Sequence, residues 1–202
     1  MFIRSVWAGI FIGIGATALM GIKIPIVGSL FFALGLLTII HLRLSLYTGA
    51  IGFLKDAFSF KDMAVIYLGN LLGTFLYGTC LKLSNLGIEP TAILAKKAEL
   101  IANVPGFAFH ILFASFMCGV LMYTGVVVWK ETQNVFSNAL ITVLCVSVFI
   151  LSGFEHCIAN MVYLFAGNCG APFMDQVLFI ALVTLGNSLG SIAFHRSRKL
   201  AS

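Results

Sequence analysis

Nine residues of the chain, Gly153 to Met161, read GFEHCIANM and place a glutamate beside a histidine in the middle of an apolar stretch. An ionisable side chain at membrane depth is costly and needs a partner or water, so Glu155 and His156 are candidate functional residues. Asn160 follows His156 by four residues, and a helical turn would place both side chains on one face. A neutral histidine that joins two helices by hydrogen bonds explains the same spacing equally well.

The composition around this stretch is that of a membrane protein. Hydrophobic residues make up 60% of the 202 residues and charged residues 9%, whereas soluble proteins have about 45–50% and about 25%. A water-soluble globule and a disordered chain are both excluded, since disorder needs low hydrophobicity and high charge. The 12 lysines and arginines are scattered between apolar blocks, which is not the clustered basic face that nucleic acid requires. We expect membrane lipid, and not nucleic acid, as a partner.

Six apolar blocks are long enough to suggest membrane crossings, for which a helix needs about 20 mostly apolar residues. They cover residues 6–22, 25–40, 63–81, 105–129, 136–165 and 174–194. The first block resembles a signal peptide, but its glycines, Gly9, Gly13 and Gly15, favour a packed helix over a discarded segment. With six spans both termini lie on one side, together with eight basic residues against four on the other. This balance predicts a multi-pass protein of the cell membrane with both termini in the cytoplasm.

Two of the blocks are interrupted. The second continues into HLRLSLYTGAIG, residues 41–52, and the fifth carries the SGFEH sequence of residues 152–156 at its middle. Irregular backbone at membrane depth is tolerated only where it is buried in protein or lines a cavity. These breaks therefore indicate a pathway through the membrane.

An internal repeat is also visible. The pattern LGNxLG occurs at residues 68–73 and again 117 residues later at 185–190, while Thr48 and His156 in the interrupted blocks are 108 apart. Each half has three spans, so the second half must enter the membrane inverted. Chance similarity of glycine packing motifs is the alternative explanation.

These patterns predict an all-α membrane protein of six transmembrane helices in an inverted 3+3 repeat, aquaporin-like, with broken second and fifth helices. One channel domain would cover residues 1–202. Its first repeat would span about 1–84 and its second about 104–202, joined by an extramembrane segment.

The GFEHCIANM stretch resembles the GFEHxxANM signature in the fifth helix of the formate/nitrite transporter family, which comprises pentameric channels for small monovalent anions. The LYTG sequence at residues 46–49 is similar to the LFTG element of the family's broken second helix. The two LGN sequences match its third and sixth helices, so the resemblance covers essentially the whole chain.

This resemblance implies a homopentamer with a pore in each protomer. His156 would lie at the centre of the pore with Thr48 opposite, and Leu46 and Phe149 would form apolar constrictions on either side. Tyr47, Glu155 and Asn160 would support them, with Glu155 as a structural hydrogen-bonding residue. A proton from His156 would let the substrate cross the constriction as a neutral acid.

The chain departs from the family pattern at the outer vestibule, where the family has a lysine before its fourth helix. Ungapped alignment from the histidine places Asn103 there. Either Lys97 serves instead or the attracting charge is missing. The HLRLSLYTG sequence of residues 41–49 is closer to the hydrosulfide-type branch than to the formate or nitrite branches.

A channel for small monovalent anions of weak acids, or their neutral acids, is the function that these features favour; formate, nitrite and hydrosulfide are the candidates. An aquaporin-like pore for small neutral solutes is the alternative, although the chain has no Asn-Pro-Ala motif. A membrane-embedded accessory protein would leave the Glu155–His156 pair without a purpose. We expect no enzyme activity, cofactor or metal, because no nucleotide-binding, metalloprotease or nucleophile-elbow motif occurs.

Overall fold

The computed structural model describes residues 1–201, which fold into helices joined by short connections. Four of the helices, α1, α4, α6 and α9, are long and apolar enough to cross a membrane, and α2, α7 and α8 are shorter apolar helices. A short 3-10 turn, Ile51–Phe53, directly follows α3. The α-helices of the described residues are α1 Phe2–Gly21, α2 Pro25–His41, α3 Tyr47–Ala50, α4 Phe60–Leu83, α5 Thr91–Ala102, α6 Ala108–Glu131, α7 Val135–Leu151, α8 Cys157–Ala166 and α9 Phe173–Ala201.

The six predicted spans are confirmed, with two of them broken. The second span is divided into α2 and α3, and the fifth into α7 and α8. The largest difference in bounds is at the sixth span, which was predicted to end at Phe194 but continues as helix to Ala201. The segment between the two repeats contains the helix α5. The repeat limits of about 1–84 and 104–202 remain a prediction.

The two breaks use the same helix-ending motif. Leu44 and Phe154 each donate a backbone N–H to the carbonyl five residues earlier, at 2.8 and 2.9 Å. The preceding residues, Arg43 and Gly153, have φ values of 52° and 70°. This left-handed residue turns the chain back towards the centre and satisfies carbonyls that a helix end leaves unpaired.

Asn70 of the first LGN motif connects the first break to its neighbours. Its Oδ1 accepts a hydrogen bond from the Tyr47 N–H at 2.8 Å. Its Nδ2 donates to the carbonyls of Ser5 and Ser45, at 2.8 and 2.9 Å. One buried amide of α4 therefore binds α1, the break in the second span and the start of α3.

Asn187 of the second LGN motif repeats this arrangement. Its Oδ1 accepts from the Cys157 N–H at 2.9 Å. Its Nδ2 donates to the carbonyls of Ser115 and Glu155, both at 2.8 Å. The matching contacts confirm the inverted repeat.

The equivalent residues in the two breaks are 110 positions apart, as Tyr47 and Cys157 are in these hydrogen bonds. The separation of 108 between Thr48 and His156 differs from this spacing by two, so these residues hold neighbouring rather than equivalent positions in the two repeats. Leu46 is the equivalent of His156, so an apolar side chain in the first repeat takes the place of the histidine in the second.

Glycines allow the long helices to approach closely in each half. A Cβ on Gly73 would collide with the Val6 carbonyl of α1, and one on Gly190 would collide with the Phe116 carbonyl of α6. Gly9 also lies against the α4 backbone, where a Cβ would be 2.5 Å from the Asn70 carbonyl oxygen. The glycines of α1 therefore form the packing face that the sequence predicts.

Gly190→Ala tests this close approach. We expect a lower melting temperature in detergent, because overpacking a tight contact costs about 1–3 kcal/mol. Gly21→Ala is the control, since the nearest atom to its Cβ would be Ile88 Cδ1 at 3.8 Å. Equal melting temperatures for the two variants would contradict the predicted role of Gly190.

Candidate functional site

A cavity of about 890 Å³ opens on the face of the molecule where α5 lies. Its wall combines residues from α1, α2, α5, α7, α8 and the second break, and it includes the buried residues Phe149 and His156. Three lysines and two glutamates line it, which gives a net charge of +1 when His110 and His156 are neutral. The charged lining residues are Lys23, Lys96, Lys97, Glu89 and Glu155.

His156 is the N-cap residue of α8 and is 2% exposed. Its Nδ1 accepts a hydrogen bond from the Ala159 N–H at 3.1 Å. Because a backbone N–H can only donate, Nδ1 carries no proton in this arrangement. The proton of the neutral ring is therefore on Nε2, which faces Thr48.

Thr48 lies in α3 and is fully buried. Its Oγ1 is 2.9 Å from Nε2 of His156. With the proton on Nε2, the hydroxyl oxygen accepts this hydrogen bond and keeps its own hydrogen for another acceptor. The structure thus brings together the two residues that the sequence places opposite each other, one from each broken span.

Apolar side chains surround this pair. The Phe149 ring is 5.7 Å from the His156 ring and 5.7 Å from the Phe32 ring, in an edge-on contact with the latter. Leu46 precedes α3 and is 3% exposed. Phe149 lines the cavity, and Leu46 is buried in the same apolar cluster as Phe149.

Lys97 and Glu155 form an ion pair at the cavity wall. The Lys97 ammonium is 2.6 and 2.5 Å from the two carboxylate oxygens of Glu155. The side chains are 16% and 3% exposed, respectively. Asn160 donates its Nδ2 to Oε2 of Glu155 at 2.8 Å. The side chain of Asn160 thus binds Glu155, while its backbone N–H donates to the His156 carbonyl at 2.9 Å.

Asn103 and Lys97, the two vestibule candidates, have different environments. Asn103 is exposed just after α5, its Oδ1 accepts from the Gly106 N–H at 3.2 Å, and it is not among the cavity-lining residues. Lys97 lies within α5 and lines the cavity. Of the two candidates, only Lys97 lines this cavity.

Tyr47 supports the first break from the side. Its hydroxyl is 2.9 Å from Oγ of Ser188, and its ring is 5.0 Å from the Tyr67 ring in an edge-on contact. These contacts attach the start of α3 to α4 and α9. Within residues 1–201, no group of three or more His, Cys, Asp or Glu side chains could hold a metal ion.

His195 is a buried polar residue that the sequence analysis does not single out, because it stands beside the basic residues near the end of the sequence. It lies in α9, is 5% exposed and contacts Asp56 and Tyr123. The spacing of His195 from two other polar residues could have indicated that it is buried. Asn187, Ser191 and His195 follow one another at four-residue intervals, which places them on one helix face.

Comparison with known proteins agrees with this geometry. The formate channel FocA of Haemophilus influenzae is 28% identical over 160 aligned residues, which cover 73% of this chain and 56% of FocA. The uncharacterised transporter YwcJ of Bacillus subtilis is 28% identical over 216 aligned positions, 94% of this chain and 84% of that protein. This chain thus spans little more than half the length of the Haemophilus relative. Both relatives are described as channels or transporters, in agreement with the expectation that the chain is not an enzyme.

Solved structures share the fold. An "FNT family ion channel" superposes with a TM-score of 0.86 at 24% identity, covering 100% of this chain and 89% of the other. A "pentameric formate channel with formate bound" superposes with a TM-score of 0.79 at 22% identity, covering 99% and 95%. The sequence model of the formate/nitrite transporter family matches residues 1–197. The chain is therefore a multi-pass membrane protein that belongs to the formate/nitrite transporter family.

Proposed function

We propose that this protein is a channel for small monovalent anions of weak acids, or the corresponding neutral acids, in the cell membrane. The observation that carries the proposal is the buried His156–Thr48 pair, whose histidine lines a cavity of net positive charge. Formate is the first substrate to test, because the matched FocA relatives are described as formate channels. Nitrite and hydrosulfide are the other candidates.

The apolar side chains around the His156–Thr48 pair make the passage of a charged anion energetically costly. Transfer of a bare anion into a medium of low dielectric costs on the order of 20 kcal/mol in the idealised Born estimate. A neutral acid avoids most of that cost. In this proposal the anion takes a proton near His156 and passes Phe149 and Leu46 as the acid.

The position of the ring proton constrains the route of proton transfer. Since Nδ1 of His156 accepts from the Ala159 N–H, only Nε2 is available on the side of Thr48. A neutral ring that gave up this single proton would become an imidazolate, so in this proposal the anion takes the Nε2 proton from a doubly protonated ring, which solvent protons regenerate. A doubly protonated ring would have to give up the contact with Ala159, because two N–H groups would then face each other.

The vestibule would attract the anion before it reaches the pair. Lys97 is paired with Glu155, so its main effect is to cancel a carboxylate that would otherwise repel the substrate. Lys23 and Lys96 add positive charge at the cavity wall. We infer that the vestibule acts by charge compensation around Glu155 together with these more exposed lysines.

The proposal also covers the oligomeric state of the protein and its orientation in the membrane. We propose a homopentamer, because a matched structure is described as a pentameric formate channel. Large apolar side chains face outward, as Phe109 and Phe136 do at 84% and 79% exposure, and would meet lipid or a neighbouring protomer. The excess of basic residues supports cytoplasmic termini.

A transport panel in proteoliposomes tests the function. Formate, nitrite, hydrosulfide, acetate and glycerol are compared at two pH values. We expect uptake of one or more of the small anions, faster at the lower pH, and little uptake of glycerol. Rapid glycerol uptake without anion uptake would instead favour the aquaporin-like pore.

His156→Asn tests the central histidine. We expect a folded, assembled protein that loses the pH dependence of anion uptake, since Asn keeps a hydrogen-bonding group but does not titrate near neutral pH. His41→Asn is the matched control, because His41 is exposed at the end of α2. Unchanged pH dependence in His156→Asn would remove this residue from the mechanism.

Lys97→Ala tests charge compensation in the vestibule. We expect uptake to fall by at least about tenfold, because the buried Glu155 carboxylate is left without its partner. Adding Glu155→Gln to this variant should restore much of the uptake. Lys96→Ala removes the same charge from an exposed position and should have a smaller effect that salt screens.

Two results would contradict this account. Equal losses in Lys97→Ala and Lys96→Ala would mean that the ion pair has no special role. Failure of Glu155→Gln to rescue Lys97→Ala would mean that the unpaired carboxylate is not the cause of the loss.

A further inference from the structure

The inner face of α9 contacts the broken spans at three successive levels. Asn187 binds the start of α8. One turn later, Ser191 donates its hydroxyl towards the carbonyls of Thr48 and Gly119, at 3.2 and 2.9 Å. After one more turn, His195 reaches the turn that follows α3. Ser191 and His195 thus both bind the stretch of chain that contains Thr48.

Both ring nitrogens of His195 are engaged. Nδ1 is 2.7 Å from the Tyr123 hydroxyl of α6, and Nε2 is 2.5 Å from Oδ2 of Asp56. The side chain of His195 is 7% exposed and that of Asp56 is 25% exposed. The contact therefore joins two long helices to the loop between α3 and α4.

This loop and α3 form one continuous unit, residues 47–58, which we call the α3 segment. The loop is closed by its own backbone hydrogen bonds, among them Asp56 N–H to the Phe53 carbonyl at 3.0 Å. The Phe53 ring lies 5.2 Å from the rings of both Tyr123 and His195. The Lys130 ammonium is 3.5 Å from the centre of the Phe53 ring.

The α3 segment has little room to shift against α6 and α9. A Cβ on Gly52 would collide with the Tyr123 ring and would be 3.2 Å from the Ser191 carbonyl oxygen. Only five positions separate Thr48 from Phe53, and helical backbone connects them. A displacement at Asp56 would therefore be transmitted to Thr48.

From this geometry we infer that His195 is a positioning residue that acts through Asp56 and the α3 segment to hold Thr48 opposite His156. The inference rests on the proposed function, since it assigns His195 a task in the same pore. His195 lies at the opposite end of the α3 segment from the pair and does not contact the substrate cavity.

The contact persists in either protonation state of His195. The Tyr123 hydroxyl can donate to Nδ1 of a neutral ring or accept from Nδ1–H of a charged one. The Lys199 ammonium and His195 hold the pKa of the Asp56 carboxyl well below its usual range, so it stays ionised. The other charged groups that face this cluster are Arg196, which binds Asp56, and Arg198, which binds Tyr123 and Glu131.

Hydrogen exchange in the full-length protein tests the inference without reference to transport. In His195→Ala we expect exchange of the α3 segment to rise by about tenfold, because a charge-assisted hydrogen bond that protects the segment is lost. His195→Gln should stay near the wild type, since its amide offers both a donor and an acceptor. Ser197→Ala is the matched control, because its hydroxyl bonds only within α9, to the Phe194 carbonyl.

Asp56→Ala is the second variant if His195→Ala fails to assemble. It removes the same contact from the more exposed side and should raise exchange in the same segment. Unchanged exchange in an assembled variant that lacks the contact would overturn the inference.

Anion uptake then tests the route through Thr48. His195→Ala should lower uptake in the wild-type background and have little further effect when Thr48→Val is already present, because coupled residues are not additive. Additive losses would overturn the positioning role even if exchange rises. Absence of uptake in the wild type would count against the proposed function, while the exchange result would still decide whether His195 holds the α3 segment.

Discussion

Backbone polar groups at a break in a membrane helix have no water to pair with, and this constraint organises the whole molecule. Each break is closed by the same helix-ending turn and then bound by one buried asparagine, Asn70 or Asn187. The asparagine satisfies the first N–H of the following half-helix and a carbonyl within the break, two residues earlier. The long helices must lie close enough for this contact, and the glycines of α4 and α9 permit that approach.

The same constraint explains how a histidine comes to lie at the centre of the site. His156 is the cap of α8, and its Nδ1 accepts the backbone N–H of Ala159. Capping fixes both the orientation and the proton position of the ring, so Nε2 meets Thr48. In the first repeat the equivalent position is Leu46, which has no polar group to offer. The two repeats thus share one fold but differ at the equivalent positions Leu46 and His156. The polar pair of His156 and Thr48 takes one residue from each repeat.

Much of this was readable from the sequence, and the failures have physical causes. Apolar block lengths and the two LGN motifs predicted six spans and the repeat, because a bilayer imposes both length and backbone pairing. The end of α9 was missed because Arg196 and Lys199 interrupt the apolar pattern, yet both find Asp56 as a partner. Lys97 was left in competition with Asn103 because residue counting does not show how α5 lies against the vestibule.

The central claim is that the substrate crosses the apolar region between Phe149 and Leu46 as a neutral acid. The most direct test measures formate uptake and proton uptake together in proteoliposomes under an imposed membrane potential. We predict one proton taken up with each formate and an uptake rate that does not depend on the potential. Formate movement that follows the potential without accompanying protons would contradict the account.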